Sequence, residues 1–155
     1  MKRASIEAAL GSPQVIRASG DFKDDFVFRI TRAKNDSLIL TMMEPCRVKT
    51  RFGEATIPKG LESDGASIPN VWVIRKLVGD PFDNHWIRQG VLHDYGYRDL
   101  SIPGAYLNID KAEWDIILKD TMYNSKVTKW KVDAFYLAVH YFGGSSYKKK
   151  KYLSL

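Results

Sequence analysis

The apolar residues of this chain follow two different periods. In the first half they alternate with polar residues, as in "DFVFRIT", where Phe26, Phe28 and Ile30 fall on one face. The stretches "SLILTMM" and "CRVKTRF" follow it along the chain. Because side chains of a strand point alternately to opposite sides, this period of two predicts short strands over residues 25–58.

Residues typical of turns separate these predicted strands. The segments "KNDS" (34–37) and "FGEA" (52–55) supply asparagine, aspartate and glycine at the expected places. Two prolines and two glycines then occur in "IPKGLESDGASIPN" (57–70), which predicts a constrained loop after the last strand.

The second half has the spacing of helices. We predict helices over residues 83–99, 109–124 and 127–144. The first begins at Asp83 or Asn84 as N-cap and the second at Asp110, while a double glycine ends the third. Strands followed by helices favour an α+β fold over alternating βαβ units. We therefore expect a small N-terminal antiparallel sheet packed on a three-helix C-terminal half.

The length of 155 residues suits one domain with its own core. We divide the chain into an N-terminal arm (1–24), a single α+β domain (25–145) and a basic C-terminal tail (146–155). No apolar run approaches the roughly 20 residues of a membrane span, and we expect neither a transmembrane segment nor a signal peptide. Cys46 is the only cysteine, which excludes an intrachain disulfide and favours the cytoplasm.

The net charge of +6 is concentrated partly in the tail, where Lys148 to Lys151 form a block. Such a block is either a solvated end or a contact with an anionic surface. The sequence has no zinc-finger spacing, helix-turn-helix signal or aromatic-basic RNA motif, so nucleic acid is disfavoured and anionic phospholipid remains as a partner.

A histidine and an aspartate occupy core-facing positions on two predicted helices. The stripe on the first helix consists of Trp86, Gly90, His93 and Tyr97, and that on the second of Ala112, Asp115, Leu118 and Met122. Because a buried aspartate needs a partner, we predict a buried hydrogen bond between His93 and Asp115. The carboxylate would fix the imidazole tautomer and raise its basicity, leaving the other nitrogen to accept a proton from water. A structural clasp between helices is the alternative.

Two further carboxylates suggest a cation site. Asp94 projects about 100° away from His93, to the rim of the stripe. In "SDGASIP" (63–69), the side chain of Asp64 and the backbone carbonyls of Gly65 or Ala66 offer oxygen ligands of the kind that calcium prefers, and they could complete a site with Asp94. An Asx-turn, in which Asp64 bonds its own backbone, is the alternative.

Three motifs in this order resemble an uncharacterised domain family of tailed phages and prophages. They are the "SDGASIP" loop, the "HDYGY" helix and the "WDIILKDTM" helix, followed by a helix ending in "AVHYFGG". The family's own patterns are a (T/S)DGASIP-like loop, an HDxxY helix and an ADxxFxxAM helix. The resemblance covers roughly residues 45–145. It implies a phage-encoded protein of the host cytoplasm or the virion, with other phage proteins as partners, and it implies no activity.

"HDYGYRD" is also similar to the HDFGYRN run of small secreted bacterial and fungal phospholipases of the A-two type. That resemblance implies His93 as the general base, Asp115 as the residue that orients it, Tyr97 as the motif tyrosine, and Asp64, Gly65 and Asp94 as calcium ligands. Calcium would polarise the ester carbonyl. This chain departs from the pattern in lacking disulfides and in its longer segment between loop and helix. The hypotheses are a calcium-dependent, phospholipase-like ester hydrolase and a non-enzymatic virion or interaction protein that retains the His-Asp network.

Overall fold

The computed structural model describes residues 9–63, 85–99 and 109–142. Within these ranges, strands come first and helices follow, which confirms the α+β class. The elements are β1 (Pro13–Ile16), β2 (Phe26–Arg32), β3 (Leu38–Met42), β4 (Cys46–Thr50), β5 (Gly53–Ile57), β6 (Glu62–Ser63), α1 (Ile87–Asp99), α2 (Lys111–Asn124) and α3 (Lys129–Phe142).

The strands form two antiparallel sheets, where one was predicted. The larger has the order β1-β2-β3-β6, and β4 pairs with β5 in the smaller. Phe22, in the segment between β1 and β2, forms an isolated bridge to Val48 of the smaller sheet. In β2 the alternation works as predicted, since Phe26, Phe28 and Ile30 are buried beneath the helices while their neighbours are half-buried.

Two strands lie where the sequence predicted none, and a third overlaps a predicted turn. β1 falls in the segment assigned to an N-terminal arm, and β6, only two residues long, falls in the predicted loop. The "FGEA" segment was predicted as a turn, but β5 already begins at Gly53, whose φ of 126° lets the chain reverse tightly after β4. Short edge strands carry too few residues for alternation to reveal them.

The predicted N-cap of α2 is confirmed. The Asp110 side chain accepts a hydrogen bond from the backbone of Glu113, whose side chain accepts one from the backbone of Asp110, forming a capping box. The predicted caps of α1, Asp83 and Asn84, lie outside the described residues.

The core consists of two apolar clusters separated by α2. One cluster joins the sheets to α1 and to the start of α2, and the other lies among the three helices around Met122 and Phe135. α2 packs against both other helices and against β4, while α1 also contacts β6. Among the described helices, none combines the length and apolar character needed to cross a bilayer.

Candidate functional site

The two helices that carry the predicted pair pack at unusually close range. Gly96 of α1 lies against the indole of Trp114 in α2, so closely that an added Cβ at Gly96 would clash with the ring. Only glycine permits this approach. Trp114 precedes Asp115, and Gly96 lies three residues after His93, so this contact sets the distance between the histidine and the carboxylate.

The Asp115 carboxylate is fully buried and lies at the centre of the site. His93 Nε2 lies 2.8 Å from Oδ1, and the Tyr97 hydroxyl donates to the same oxygen. Lys111 Nζ donates to Oδ2 over 2.8 Å. The predicted hydrogen bond between His93 and Asp115 is confirmed, with the two residues 5% and 0% exposed. Both carboxylate oxygens thus accept charged or polar donors, as a buried carboxylate requires.

Lys111 connects this carboxylate to the third helix. Its ammonium also donates to the backbone carbonyls of Val139 (2.8 Å) and His140 (3.1 Å), in the last turn of α3. These carbonyls lack partners within the helix and attract a cation. The same turn brings His140 Nδ1 to 3.8 Å from Asp115 Oδ2. All three helices therefore meet at Asp115.

The electrostatics of the pair favour a neutral imidazole beside an ionised carboxylate. Burial alone would raise the pKa of Asp115, but the hydrogen bonds from His93, Lys111 and Tyr97 outweigh it and hold the pKa below its ordinary value. Burial lowers the pKa of His93, and the Asp115 carboxylate does not fully offset it. Asp115 does raise the basicity of His93, as expected, but desolvation of the imidazolium is the larger effect, so the pKa of His93 stays below its ordinary value.

This protonation state has a direct chemical consequence. With Nε2–H donating to Asp115, the lone pair of His93 resides on Nδ1, and within the described residues Nδ1 makes no hydrogen bond. A neutral imidazole of this tautomer can accept a proton at Nδ1, and the Asp115 carboxylate would stabilise the imidazolium that results. The same arrangement is also a polar contact between two helices in which both oxygens of Asp115 accept hydrogen bonds.

The remaining predicted positions have different outcomes. Asp94 is 9% exposed, so its predicted rim position is wrong; a cation there would lie below the surface. Ala112, assigned to the buried stripe, is exposed, because the buried face of α2 includes Trp114, and Ala112 lies about 160° from Trp114 around the helix. Asp64 and Gly65 lie outside the described residues. In the part of the chain that the structure describes, no three His, Cys, Asp or Glu side chains form a metal-binding group.

Two polar residues of the site were missed in the sequence. Lys111 lies four residues before Asp115, and that helical spacing was the available signal. Gln89 lies four residues before His93; it is 1% exposed, and its amide has no hydrogen-bond partner within the described residues. A buried amide without a partner costs about 1–3 kcal/mol, so this one needs a reason.

The cysteine offers no competing nucleophile. Cys46 is buried in β4, and burial raises the pKa of its thiol to about 11. Because the thiolate is the reactive form, this cysteine is unreactive at neutral pH.

Comparison with protein families places the Asp115 network within the matched region of one family model. A family model described as "Protein of unknown function (DUF1353)" matches residues 29–139. The chain belongs to this family. The DUF1353 match extends from β2 into the last turn of α3 and includes all four residues of the Asp115 network: His93, Tyr97, Lys111 and Asp115. Comparisons with curated proteins and with solved structures gave no match.

Proposed function

We propose that this DUF1353 protein is a phage-encoded, calcium-dependent hydrolase that cleaves phospholipid esters. The observation that carries the proposal is the buried hydrogen bond between His93 Nε2 and Asp115 Oδ1, 2.8 Å long, which fixes the tautomer of a neutral imidazole. His93 Nδ1 would remove a proton from the attacking water, and Asp115 would orient the ring.

The surroundings of the pair suit a base that works near neutral pH. A histidine with a lowered pKa is unprotonated at pH 7 and so is ready to accept a proton. Lys111 and Tyr97 hold Asp115 ionised, so the carboxylate faces the imidazolium at the moment it forms. Within the described residues the amide of Gln89, one turn from His93, has no hydrogen-bond partner, and in this proposal it would supply a donor and an acceptor for a substrate group.

The arrangement of β6 supports the calcium part of the proposal. Ser63 pairs with Leu40 at the end of the larger sheet, and β6 contacts α1, the helix that carries Asp94. Asp64 and Gly65 follow Ser63 directly in the sequence, so the chain enters that segment beside α1. Of the predicted ligands, the described residues contain Asp94 alone. Calcium, when bound, would polarise the ester carbonyl and stabilise negative charge on its oxygen.

The phage context comes from the resemblances of the "SDGASIP", "HDYGY" and "WDIILKDTM" motifs. We place the protein in the host cytoplasm or the virion, where a phospholipid hydrolase would act on the host membrane during lysis or entry. Anionic phospholipid is then the substrate class, and other phage proteins are the expected partners.

Fatty-acid release from phospholipid vesicles tests this function. The wild-type protein should release fatty acid with calcium and not with a chelator. His93→Gln, whose amide can still donate to Asp115, should lose activity while its thermal unfolding and vesicle binding stay near wild type. Asp94→Asn should abolish the rise in melting temperature caused by calcium, whereas Asp36→Asn, at an exposed turn, should not.

A non-enzymatic role is the second candidate, and one observation favours it. Both oxygens of Asp115 are satisfied by the protein's own donors, which is what a structural clasp between helices requires. A wild-type protein without calcium-dependent hydrolysis, together with a marked loss of stability in His93→Ala, would select this role. The protein would then act as a virion or interaction protein through its surface.

A further inference from the structure

The outer face of α3 exposes three large apolar side chains. Trp130, Leu137 and Tyr141 are 52%, 50% and 71% exposed. They are spaced i, i+7 and i+11, so they form one narrow stripe along the helix, which we call the α3 stripe. Among the described residues, the one other large apolar side chain exposed to this degree is Val15, in β1.

The α3 stripe is additional to the face that α3 buries. Val132, Phe135 and Val139 point in the opposite direction, into the cluster among the helices. A surface helix of a globular protein needs one apolar face, and α3 has two. Three adjacent exposed apolar side chains, two of them aromatic, indicate a surface that binds something.

Lysines surround the stripe at its N-terminal end. Lys129 and Lys131 lie about 100° to either side of Trp130 around the helix, and the exposed Lys126 lies in the preceding turn. Lys131 Nζ is 5.0 Å from the ring centre of Trp86 and 5.7 Å from that of Trp130.

A cavity of about 200 Å³ opens beside this group, lined in part by Trp86, Lys126 and Lys131. The acidic residue on this side of α3, Asp133, accepts a hydrogen bond from the Tyr123 hydroxyl over 2.8 Å. The three lysines outnumber this one aspartate, so the margin of the stripe carries a net positive charge.

We propose that the α3 stripe is a docking surface for an anionic phospholipid bilayer. An apolar helix face with lysines at its margins is the pattern of helices that lie in the membrane interface. Tryptophan and tyrosine rings prefer the headgroup level, where the lysine ammonium groups meet lipid phosphates. A second copy of the chain fits less well, because a two-fold contact through this face would bring equal positive charges together.

The stripe also ends beside the Asp115 network. Tyr141 packs edge-on against His140 with ring centres 5.1 Å apart, and the carbonyl of His140 accepts from Lys111. This inference rests on the proposed function for its biological purpose, since docking would deliver ester substrate to the site. The docking itself is measurable without any hydrolysis.

Co-sedimentation with vesicles, in the presence of chelator, tests the surface. The wild-type protein should bind vesicles of phosphatidylcholine mixed with phosphatidylglycerol much more tightly than phosphatidylcholine alone. Leu137→Gln should weaken binding about tenfold, or about 1.4 kcal/mol, close to the gain from removing one leucine from water. Val15→Gln, at an equally exposed valine, is the matched control and should bind like wild type.

Substitution of a lysine at the margin of the stripe tests the contribution of charge to vesicle binding. Lys129→Gln should weaken binding about fivefold in low salt and less in high salt, since each lysine near an anionic surface contributes about 1 kcal/mol. Lys34→Gln, at an exposed turn far along the sequence, should have no effect.

Three results would overturn the inference: equal loss in Leu137→Gln and Val15→Gln, no preference for anionic vesicles, or a dimer in sedimentation that Leu137→Gln dissociates. The last would assign the stripe to a second copy.

Hydrolysis of a short-chain phospholipid dispersed as monomers tests the catalytic proposal without the surface. Activity on monomers without vesicle binding would refute the docking surface alone, and vesicle binding without hydrolysis would refute the catalytic proposal alone.

Discussion

Replacing Asp115 by asparagine removes the charge at the centre of the site while keeping its shape. In the wild-type protein Oδ1 of Asp115 accepts hydrogen bonds from His93 and Tyr97, and Oδ2 accepts one from Lys111. If the amide oxygen of asparagine takes the Oδ1 position, its NH₂ group faces the Lys111 ammonium. Both groups are hydrogen-bond donors, so no hydrogen bond forms between them. The opposite orientation loses the two hydrogen bonds from His93 and Tyr97. No orientation restores the network.

The size of the effect follows from burial. Removing one partner of a buried ion pair costs about 3–5 kcal/mol, because the other charge remains without compensation. The Lys111 side chain is 22% exposed and keeps its two carbonyl acceptors on α3, so the lower end of that range applies. We expect Asp115→Asn to lower the free energy of unfolding by about 3 kcal/mol.

Urea unfolding at neutral pH measures this loss, and α2 provides a matched control. Asp120, on the same helix, forms a bidentate salt bridge with the half-exposed Arg51. Asp120→Asn should cost about 1 kcal/mol or less, as exposed ion pairs do. A loss in Asp115→Asn that is no larger than in Asp120→Asn would refute the view that three donors hold a buried charge at Asp115.

Three further predictions concern the same site. Gly96→Ala should cost about 1–3 kcal/mol in urea unfolding, because its methyl group would displace the Trp114 ring; no loss would contradict the close packing. Lys111→Met should raise the pKa of His93 in an NMR titration, since the ammonium disfavours the imidazolium; a fall would contradict it. The free energy of unfolding should decrease as pH falls below about 6.5. In that pH range His93 binds a proton in the unfolded chain but not in the folded protein, where its pKa is lowered. In His93→Gln this contribution to the pH dependence of the free energy of unfolding should be absent.

Sequence periodicity predicted which side chains contact each other better than it predicted how far each is buried. The spacing of apolar residues placed His93 and Asp115 on facing stripes, and the structure confirms their contact. The same spacing put Asp94 at a rim and Ala112 in the core, and both are wrong. A helical wheel gives the direction of a side chain, whereas its burial depends on what packs against that face of the helix.

Interactions that arise from tertiary packing could not be predicted from the spacing of apolar residues. Lys111 binds Asp115 and the end of α3 only because the three helices converge. The lowered pKa of His93 likewise depends on how deeply the imidazole is buried, which no spacing reveals. Among the strands, the alternating β2 was predictable, whereas the two-residue β6 owes its existence to pairing with Leu40.

The central claim is that His93, oriented by Asp115, is the base of a calcium-dependent ester hydrolase. The most direct test is fatty-acid release by the wild-type protein as a function of pH, with calcium and with chelator. The account predicts release only with calcium, and a rate that rises along a single ionisation whose midpoint lies below about 6.5, where the neutral form of a buried histidine accumulates. A folded protein that releases no fatty acid at any pH in calcium, or releases it equally with chelator, would contradict the account.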